Sequence, residues 1–236
     1  MRRAILPALL LLPVWSHAAE AEEKPFTMDA NAAWVKSTGS SNKETIKGLL
    51  DLQYKAGAWT HQFHAEGLNE ADKSSDASST ERYLVFEKSS WNFTERDYLF
   101  VKPQWEKDLQ SLYTYQAFLA AGYGRNVIKT DTMIFNTDFG AGSRYSKLES
   151  NGHTENETLG NFALKYEWQF TKNARFNEDL SVEVGANGTV ARTRTALTAD
   201  VTDVLGLTLA YESKTDSGPS EVEDSLTTFG LTYRLR

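Results

Sequence analysis

The sequence contains no cysteine, which excludes disulfide bonds, thiolate metal sites and cysteine nucleophiles. Beyond its first residues it also lacks a long apolar run, because the longest one, residues 117–123, is far too short for a membrane-spanning helix. Basic residues are outnumbered: the formal net charge is −7 and no basic run occurs. This charge balance excludes nucleic acid as a partner.

The first residues have the layout of an export signal. Arg2 and Arg3 precede an apolar run over residues 4–15, and Ser16-His17-Ala18 forms a small-x-small cleavage site. This pattern predicts a signal peptide over residues 1–18, with Ala21 as a second cleavage position and an N-terminal membrane anchor as the alternative. Without cysteine there is no site for a lipid anchor. Residues 19–236 are predicted to form one domain.

The closing segment shows the pattern that recurs along this domain. Its two faces alternate, with Phe229, Leu231, Tyr233 and Leu235 on one side and Thr228, Gly230, Thr232 and Arg234 on the other. Period-two alternation of this kind predicts half-buried strands, and no helical period of useful length appears. The whole pattern predicts an all-β protein, an antiparallel transmembrane β-barrel of about twelve strands. A barrel crosses a bilayer without long apolar runs because only alternate residues face lipid.

The connections and the aromatic residues predict an orientation. Connections after strands two, four, eight and ten are short, whereas longer polar loops are predicted at 69–80, 149–157 and 214–224. Short periplasmic turns and longer external loops are typical of outer-membrane barrels, so both termini are predicted to be periplasmic. Large aromatics at strand ends predict two interfacial rings. The periplasmic ring comprises Tyr54, Trp59, Trp91, Trp168 and Tyr233, and the outer ring comprises Trp105, Tyr113 and Tyr211.

Two points stay open at this level. Strands four and five carry apolar residues on both faces, and Pro103 cannot donate to a strand ladder, so their facing is not fixed. Alternation alone also does not say which face is inside. A soluble periplasmic barrel that buries the apolar faces is therefore the alternative fold.

Short motifs in a fixed order resemble a known family. They are Ala32-Ala33-Trp34, Trp59-Thr60-His61, Trp105-Glu106-Lys107-Asp108, Gly140-Ala141-Gly142-Ser143-Arg144-Tyr145 and the terminal Gly230-Leu231-Thr232-Tyr233-Arg234-Leu235. The pattern resembles the salt-induced outer-membrane protein family, also called domain of unknown function 481. The resemblance implies a barrel in the bacterial outer membrane and expression under salt or osmotic stress, but it supplies no catalytic residue or substrate.

The last strand also resembles the assembly signal of outer-membrane barrels through Gly230, Tyr233 and Leu235, although Arg236 stands where an aromatic residue is usual. This resemblance implies the barrel-assembly machinery as a partner, with outer-membrane lipid and lipopolysaccharide as the surroundings.

The sequence offers few candidate residues for catalysis or metal binding. The domain has three histidines: His61 on an apolar face, His64 on a lumenal face and His153 in a loop. His61 and His64 are three apart on a strand and point to opposite faces, which prevents joint metal ligation. No catalytic residue, metal site or cofactor is predicted.

The charged faces of the strands predict the lumen. Its predicted lining is Lys47, Asp51, Asp138, Arg144, Lys165, Glu183, Arg192, Arg194 and Glu212. These charges of both signs would either line a narrow path for small polar solutes or ions, or pair across the lumen and plug it. The predicted function is accordingly a narrow channel or an envelope-structural protein. The alternatives are a lipid-modifying enzyme of the outer membrane and a soluble periplasmic binding protein.

Overall fold

The alternating segments form long antiparallel strands in a computed structural model that describes residues 25–36, 43–72, 79–218 and 222–235. The predicted signal peptide lies outside these residues. The strands are β1 (Phe26–Lys36), β2 (Lys43–Ala56), β3 (Trp59–Asp72), β4 (Ser79–Asn92), β5 (Asp97–Asp108), β6 (Tyr113–Lys129), β7 (Met133–Leu148), β8 (Thr154–Thr171), β9 (Ala174–Gly185), β10 (Thr189–Asp200), β11 (Leu205–Asp216) and β12 (Val222–Leu235).

Each strand pairs with its neighbours in sequence, and β12 pairs with β1 to close the barrel. The closing seam runs from Met28 opposite Leu235 to Ala33 opposite Gly230. The prediction of an all-β, twelve-stranded antiparallel barrel is confirmed. Among the described residues, no helix has the length and apolar character needed to cross a bilayer.

The barrel has two ends, which we name from the chain. The terminal end carries Phe26 and Leu235 together with the turns 57–58, 93–96, 130–132, 172–173 and 201–204. The opposite end, here the far end, carries the turns 109–112, 149–153 and 186–188. Three predicted polar loops are shorter than expected, because β3 continues to Asp72, β8 begins at Thr154 and β11 continues to Asp216. Polar residues can extend these strands because, beyond the apolar part of the barrel wall, both faces of a strand can contact water.

The outward face of the barrel is apolar and uncovered. Phe229, Leu231 and Leu209 are 58, 60 and 50 % exposed, whereas Thr228, Thr232 and Arg234 on the opposite face of the same wall are buried. On this wall polar and charged side chains therefore face the interior of the barrel, while apolar ones face outward. This arrangement is the reverse of a soluble β-barrel, in which apolar side chains fill the interior.

Aromatic residues mark both ends of this outward face. The side chains of Tyr54, Trp59, Trp91, Trp168 and Tyr233 are exposed towards the terminal end, and Trp105 and Tyr211 are exposed towards the far end. The placement of Tyr113 in the outer ring is wrong. Tyr113 is 8 % exposed, because an irregularity in the β6–β7 pairing between Tyr113 and Tyr115 turns its side chain inward.

The structure settles the facing of β4 and β5. Phe86, Lys88, Tyr98 and Phe100 face inward, and their pairing is interrupted where Pro103 stands. Residue pairs run from Phe86–Gln104 directly to Ser89–Val101 and skip the positions between them. A proline nitrogen has no proton to donate, which explains the gap.

Inward-facing aromatics on β5 and β6 fit because glycines stand beside them. A Cβ atom at Gly124 would lie 2.1 Å from the Tyr98 ring, and one at Gly142 would lie 2.7 Å from the Phe118 ring. The rings of Tyr98, Phe100 and Phe118 lie over this glycine-rich wall and are nearly fully buried. We call these three rings the aromatic shelf. This explains why both faces of β5 carry apolar residues: Tyr98 and Phe100 belong to the aromatic shelf on the lumenal face, and Leu99 and Val101 lie on the outward face.

Candidate functional site

A continuous chain of ion pairs crosses the lumen in the far half of the barrel. We call it the ionic layer, and its members in order of contact are Asp224, Arg82, Asp108, Lys214, Glu106, Arg192, Glu183 and Arg144.

The strands joined by the ionic layer lie far apart around the ring. Lys214 on β11 lies 2.7 Å from Glu106 and 3.0 Å from Asp108, both on β5, which is half the ring away. Arg192 on β10 donates to Glu106 at 2.5 Å. Arg82 on β4 reaches Asp224 on β12, with β1, β2 and β3 between them. These contacts run through the interior of the barrel and not along its wall.

The ionic layer is well buried. Glu183 is 1 % exposed and accepts from Arg144 and Arg192, while Asp108 and Glu106 are 4 and 5 % exposed. Enclosed charges stay ionised only when paired, since an isolated buried charge costs several kcal/mol. Asp108, Glu106 and Glu183 therefore each have two cationic partners. At the level of the ionic layer, the open space in the described part of the lumen is what remains between these side chains.

A second series of ion pairs connects β2 and β3 with β10 and β11. Lys47 is buried and pairs with Glu66 at 3.0 Å and with Glu212, which also accepts from Arg194 at 3.1 Å. His64 donates to Asp51 at 2.7 Å and lies 3.9 Å from Glu66. This series of ion pairs links β2 to β11, which are separated in the barrel wall by β1 and β12.

A cavity of about 610 Å³ fills the lumen between the terminal end and the ionic layer. We call it the vestibule. It extends from Thr27 and Gln169, near the terminal end, to Glu106 and Lys214. Its volume is within the range of small-molecule sites, about 300–1,000 Å³. A cavity of about 20 Å³ lies beyond the layer, against Tyr113 and Glu155, so the layer separates two spaces of very different size.

The structure brings the predicted lumen residues together as partners. Ion pairs join Lys47 to Glu212, Asp138 to Lys88, Arg144 to Glu183, Lys165 to Glu167, Arg192 to Glu183 and Arg194 to Glu212. Lys165 and Asp51 also line the vestibule. Eight of the nine therefore have an oppositely charged partner, Asp51 accepts a hydrogen bond from His64, and four of these pairings lie within the predicted set.

Sequence reasoning missed the members of the ionic layer on β4, β5 and β11. Arg82, Glu106 and Asp108 lie on the two strands whose facing was open, and Lys214 falls where a loop was predicted. The sequence did contain an indication of their facing. Lys102, Glu106 and Asp108 alternate onto the same face of β5, and Glu212 and Lys214 onto the same face of β11. Extending the charged parity of β5 and β11 would have placed Glu106, Asp108 and Lys214 inside.

The histidines do not form a catalytic relay with the partners that the structure gives them. The His61 ring Nδ1 donates to Ser89 Oγ at 2.8 Å, and Ser89 donates to Glu87 Oε1 at 2.7 Å. Glu87 Oε1 also lies 3.3 Å from the same Nδ1. A serine relay needs the hydroxyl and the carboxylate on different ring nitrogens, and here both approach one. Within the described residues, no group of three or more His, Asp or Glu side chains has metal-site geometry.

The closing strand places the predicted assembly residues on both of its faces. Tyr233 and Leu235 are 42 and 43 % exposed on the outward face. Gly230 faces inward at the seam, where an added Cβ would lie 2.5 Å from the Ala32 carbonyl oxygen. Arg234 donates to Asp29 and Asp200, both at 2.9 Å, and so ties the seam at the terminal end.

The sequence matches a family model over residues 30–235, and that family is described as "Protein of unknown function, DUF481". A relative from Escherichia coli strain K12, called "Uncharacterized protein YdiY", is 31 % identical over 219 residues. The match covers 90 % of this chain and 84 % of the relative.

Solved structures share the fold at low sequence identity. The NanC porin superimposes with a TM-score of 0.53 at 7 % identity, covering 89 % of this chain and all of that one. The COG4313 outer-membrane channel from Pseudomonas putida F1 superimposes with a TM-score of 0.52 at 11 % identity, covering 94 and 99 % of the two chains. At these identities the likeness shows the barrel fold alone.

Proposed function

The chain belongs to the DUF481 family of proteins of unknown function, and we propose that it is an outer-membrane barrel forming a narrow passage for small polar solutes or ions. In this proposal the terminal end faces the periplasm and the vestibule opens to it. The ionic layer limits passage, which requires its side chains to rearrange. The vestibule that ends at the ionic layer is the observation that carries the proposal.

The outward face supports the location in a membrane. Exposed apolar residues surround the barrel between two sets of aromatic side chains, and such rings are typical of the two membrane interfaces. A monomeric protein in water rarely exposes a continuous apolar patch of more than a few hundred Å². The soluble binding protein is therefore the weaker proposal, because it would leave this face uncovered.

The lumen supports passage of polar solutes. Charges of both signs line the vestibule, so a polar solute can exchange its water for side-chain contacts. Within the described residues, side chains and not an inserted segment close the far half. Lysine and arginine have long flexible stems, so a closure made of them can open without unfolding the barrel.

The proposal does not include lipid hydrolysis. The His61 contacts lack the two-nitrogen arrangement described above, and His64 is engaged by Asp51 and Glu66. The small-molecule passage uses the lumen, where the ionic layer lies.

Fractionation and liposome swelling test the proposal. The mature protein should fractionate with the outer membrane and change its migration on gels when heated. In liposomes, the folded protein should admit small sugars and amino acids and exclude larger oligosaccharides. Recovery in the soluble periplasm would contradict the location, whereas a folded barrel that admits no solute would indicate an envelope-structural role.

A further inference from the structure

Three polar side chains form a cluster on the outward wall of β3 and β4. The cluster consists of His61, Glu87 and Ser89, joined by the bonds already described, and we call it the outer polar cluster. Its side chains are not hidden, since His61 is 39 % and Glu87 35 % exposed. Phe86 and Lys88, on either side of Glu87, line the vestibule, which places Glu87 on the opposite face.

The depth of this cluster makes it unusual. On β4, Glu87 lies midway between Trp91 and Tyr83, both exposed on the outward face. Four residues in each direction correspond to about 13 Å of strand, so the backbone of Glu87 lies midway between these two side chains, while His61 lies two residues from Trp59 at the terminal end. Ionisable groups at that depth are costly and are retained where a partner or a function requires them.

Two members of the cluster also have a polar atom that the bonds within the cluster do not use. His61 Nδ1 and Glu87 Oε1 take part in the bonds within the cluster, whereas His61 Nε2 and Glu87 Oε2 form no hydrogen bond with any residue that the structure describes. Where the outward face contacts lipid, burial of these two atoms without a polar partner would be costly. The pair is self-complementary, because one proton shared between an imidazole nitrogen and a carboxylate oxygen satisfies both.

The neighbouring wall allows another backbone to come close. Ala65 and Gly67 continue the outward face of β3, and Gly48 lies beside Gly67 on β2. A Cβ at Gly48 would meet no atom within 4 Å, so the surface there is flat and open. By contrast, Leu209, Phe229 and Leu231 cover the wall of β11 and β12. Small residues beside polar ones are typical of contacts between membrane segments.

From these observations we infer that two copies of this chain associate in the membrane through the β3–β4 wall. A two-fold axis along the membrane normal brings His61 of each copy to Glu87 of the other. His61 Nε2 and Glu87 Oε2 then share a proton twice across the contact, and Gly48 and Gly67 permit the close approach. A two-fold contact of this kind is isologous and closes at two copies. The inference depends on the membrane location proposed above but not on solute passage, since a silent barrel can associate in the same way.

Cysteine cross-linking in liposomes tests which wall is in contact. Because the chain has no cysteine, one substitution gives a single reactive site. Ala65→Cys should form a disulfide-linked dimer with a lipid-soluble oxidant, and Leu209→Cys on β11, four strands away from β3 around the barrel, should stay monomeric. Equal cross-linking of both, or of neither, would overturn the inference.

Exchanging the charges tests the pairing itself. One variant, Glu87→His, presents two histidines, and the other, His61→Glu, presents two carboxylates. Each alone should dissociate roughly tenfold more readily than the wild type in detergent, measured by light scattering. Their mixture should recover the wild-type dimer as a heterodimer, while heat-dependent gel migration checks that both are folded.

A monomeric wild type, or dimers unaffected by either variant, would overturn the inference. A monomer that retains one phospholipid in native mass spectrometry would overturn it as well, because lipid would then occupy the cluster.

Discussion

Arg192 on β10 donates to Glu106 on β5 at 2.5 Å, although the two strands lie on nearly opposite sides of the barrel. Glu106 also accepts from Lys214 at 2.7 Å. The Glu106 carboxylate thus binds two cations from β10 and β11, on the other side of the barrel from β5, and connects the two parts of the ionic layer that lie on either side of it. In the described structure the charges of the ionic layer are therefore paired across the interior of the barrel.

Reversing the charge of two lumenal arginines should change ion selectivity. In Arg192→Glu plus Arg194→Glu, carboxylates replace the cations beside Glu183 and Glu212, so the lumen should favour cations. The reversal potential in a potassium chloride gradient should shift accordingly. Arg96→Glu plus Lys172→Glu makes the same charge change in turns at the terminal end. Equal shifts in both proteins would show that the mouth, and not the lumen, sets selectivity.

Filling the glycine-rich wall under the aromatic shelf should destabilise the barrel. A Cβ at Gly142 would lie 2.3 Å from the Leu119 carbonyl oxygen and 2.7 Å from the Phe118 ring. Gly142→Ala should therefore cost about 1–3 kcal/mol of unfolding free energy, a typical cost of overpacking. Urea unfolding in detergent measures it. Gly48→Ala, with open space around its Cβ, is the control, and an equal loss there would contradict the role of close packing.

High salt should open the passage more than it raises the conductivity of the solution. The Debye length falls from about 10 Å at 0.1 M to about 3 Å at 1 M, and buried pairs are screened less than exposed ones. Glu106, Arg192 and Lys214 line the vestibule, so ions that enter it reach these pairs and weaken them. Conductance divided by bulk conductivity should rise between these two salt concentrations. A ratio that stays constant would mean that ion pairs do not limit passage.

Much of the fold follows from the sequence because alternation reports directly on strands. The terminal strand shows this, since Phe229 and Leu231 face outward and Thr228 and Thr232 inward, as their parity predicts. Strand number and closure follow from the same signal. The facing of Tyr113 was predicted wrongly because a local irregularity in strand pairing reverses the alternation there. No residue type near Tyr113 indicates that irregularity in the sequence.

The contacts of the candidate site could not be predicted in the same way. Alternation gives the face of a strand but not its height relative to a strand across the barrel, so Glu106 and Arg192 are not recognisable as partners. The outer polar cluster also depends on register, since His61 stands directly opposite Ser89. On β5 the apolar parity misleads, because Tyr98 and Phe100 are lumenal residues accommodated by glycines on neighbouring strands.

The central claim is that the ionic layer limits a real passage through the lumen. Current through single folded barrels in planar bilayers tests it, with Glu106→Gln as the variant because Glu106 holds both Arg192 and Lys214. Removing one partner of a buried pair costs about 3–5 kcal/mol, so heat-dependent gel migration must first show a folded protein. Lys214→Met is the second variant, and Glu95→Gln, in an exposed turn, is the control. The account predicts small discrete steps for the wild type and Glu95→Gln, and larger steps for Glu106→Gln and Lys214→Met. Folded barrels that are silent in every form would contradict it.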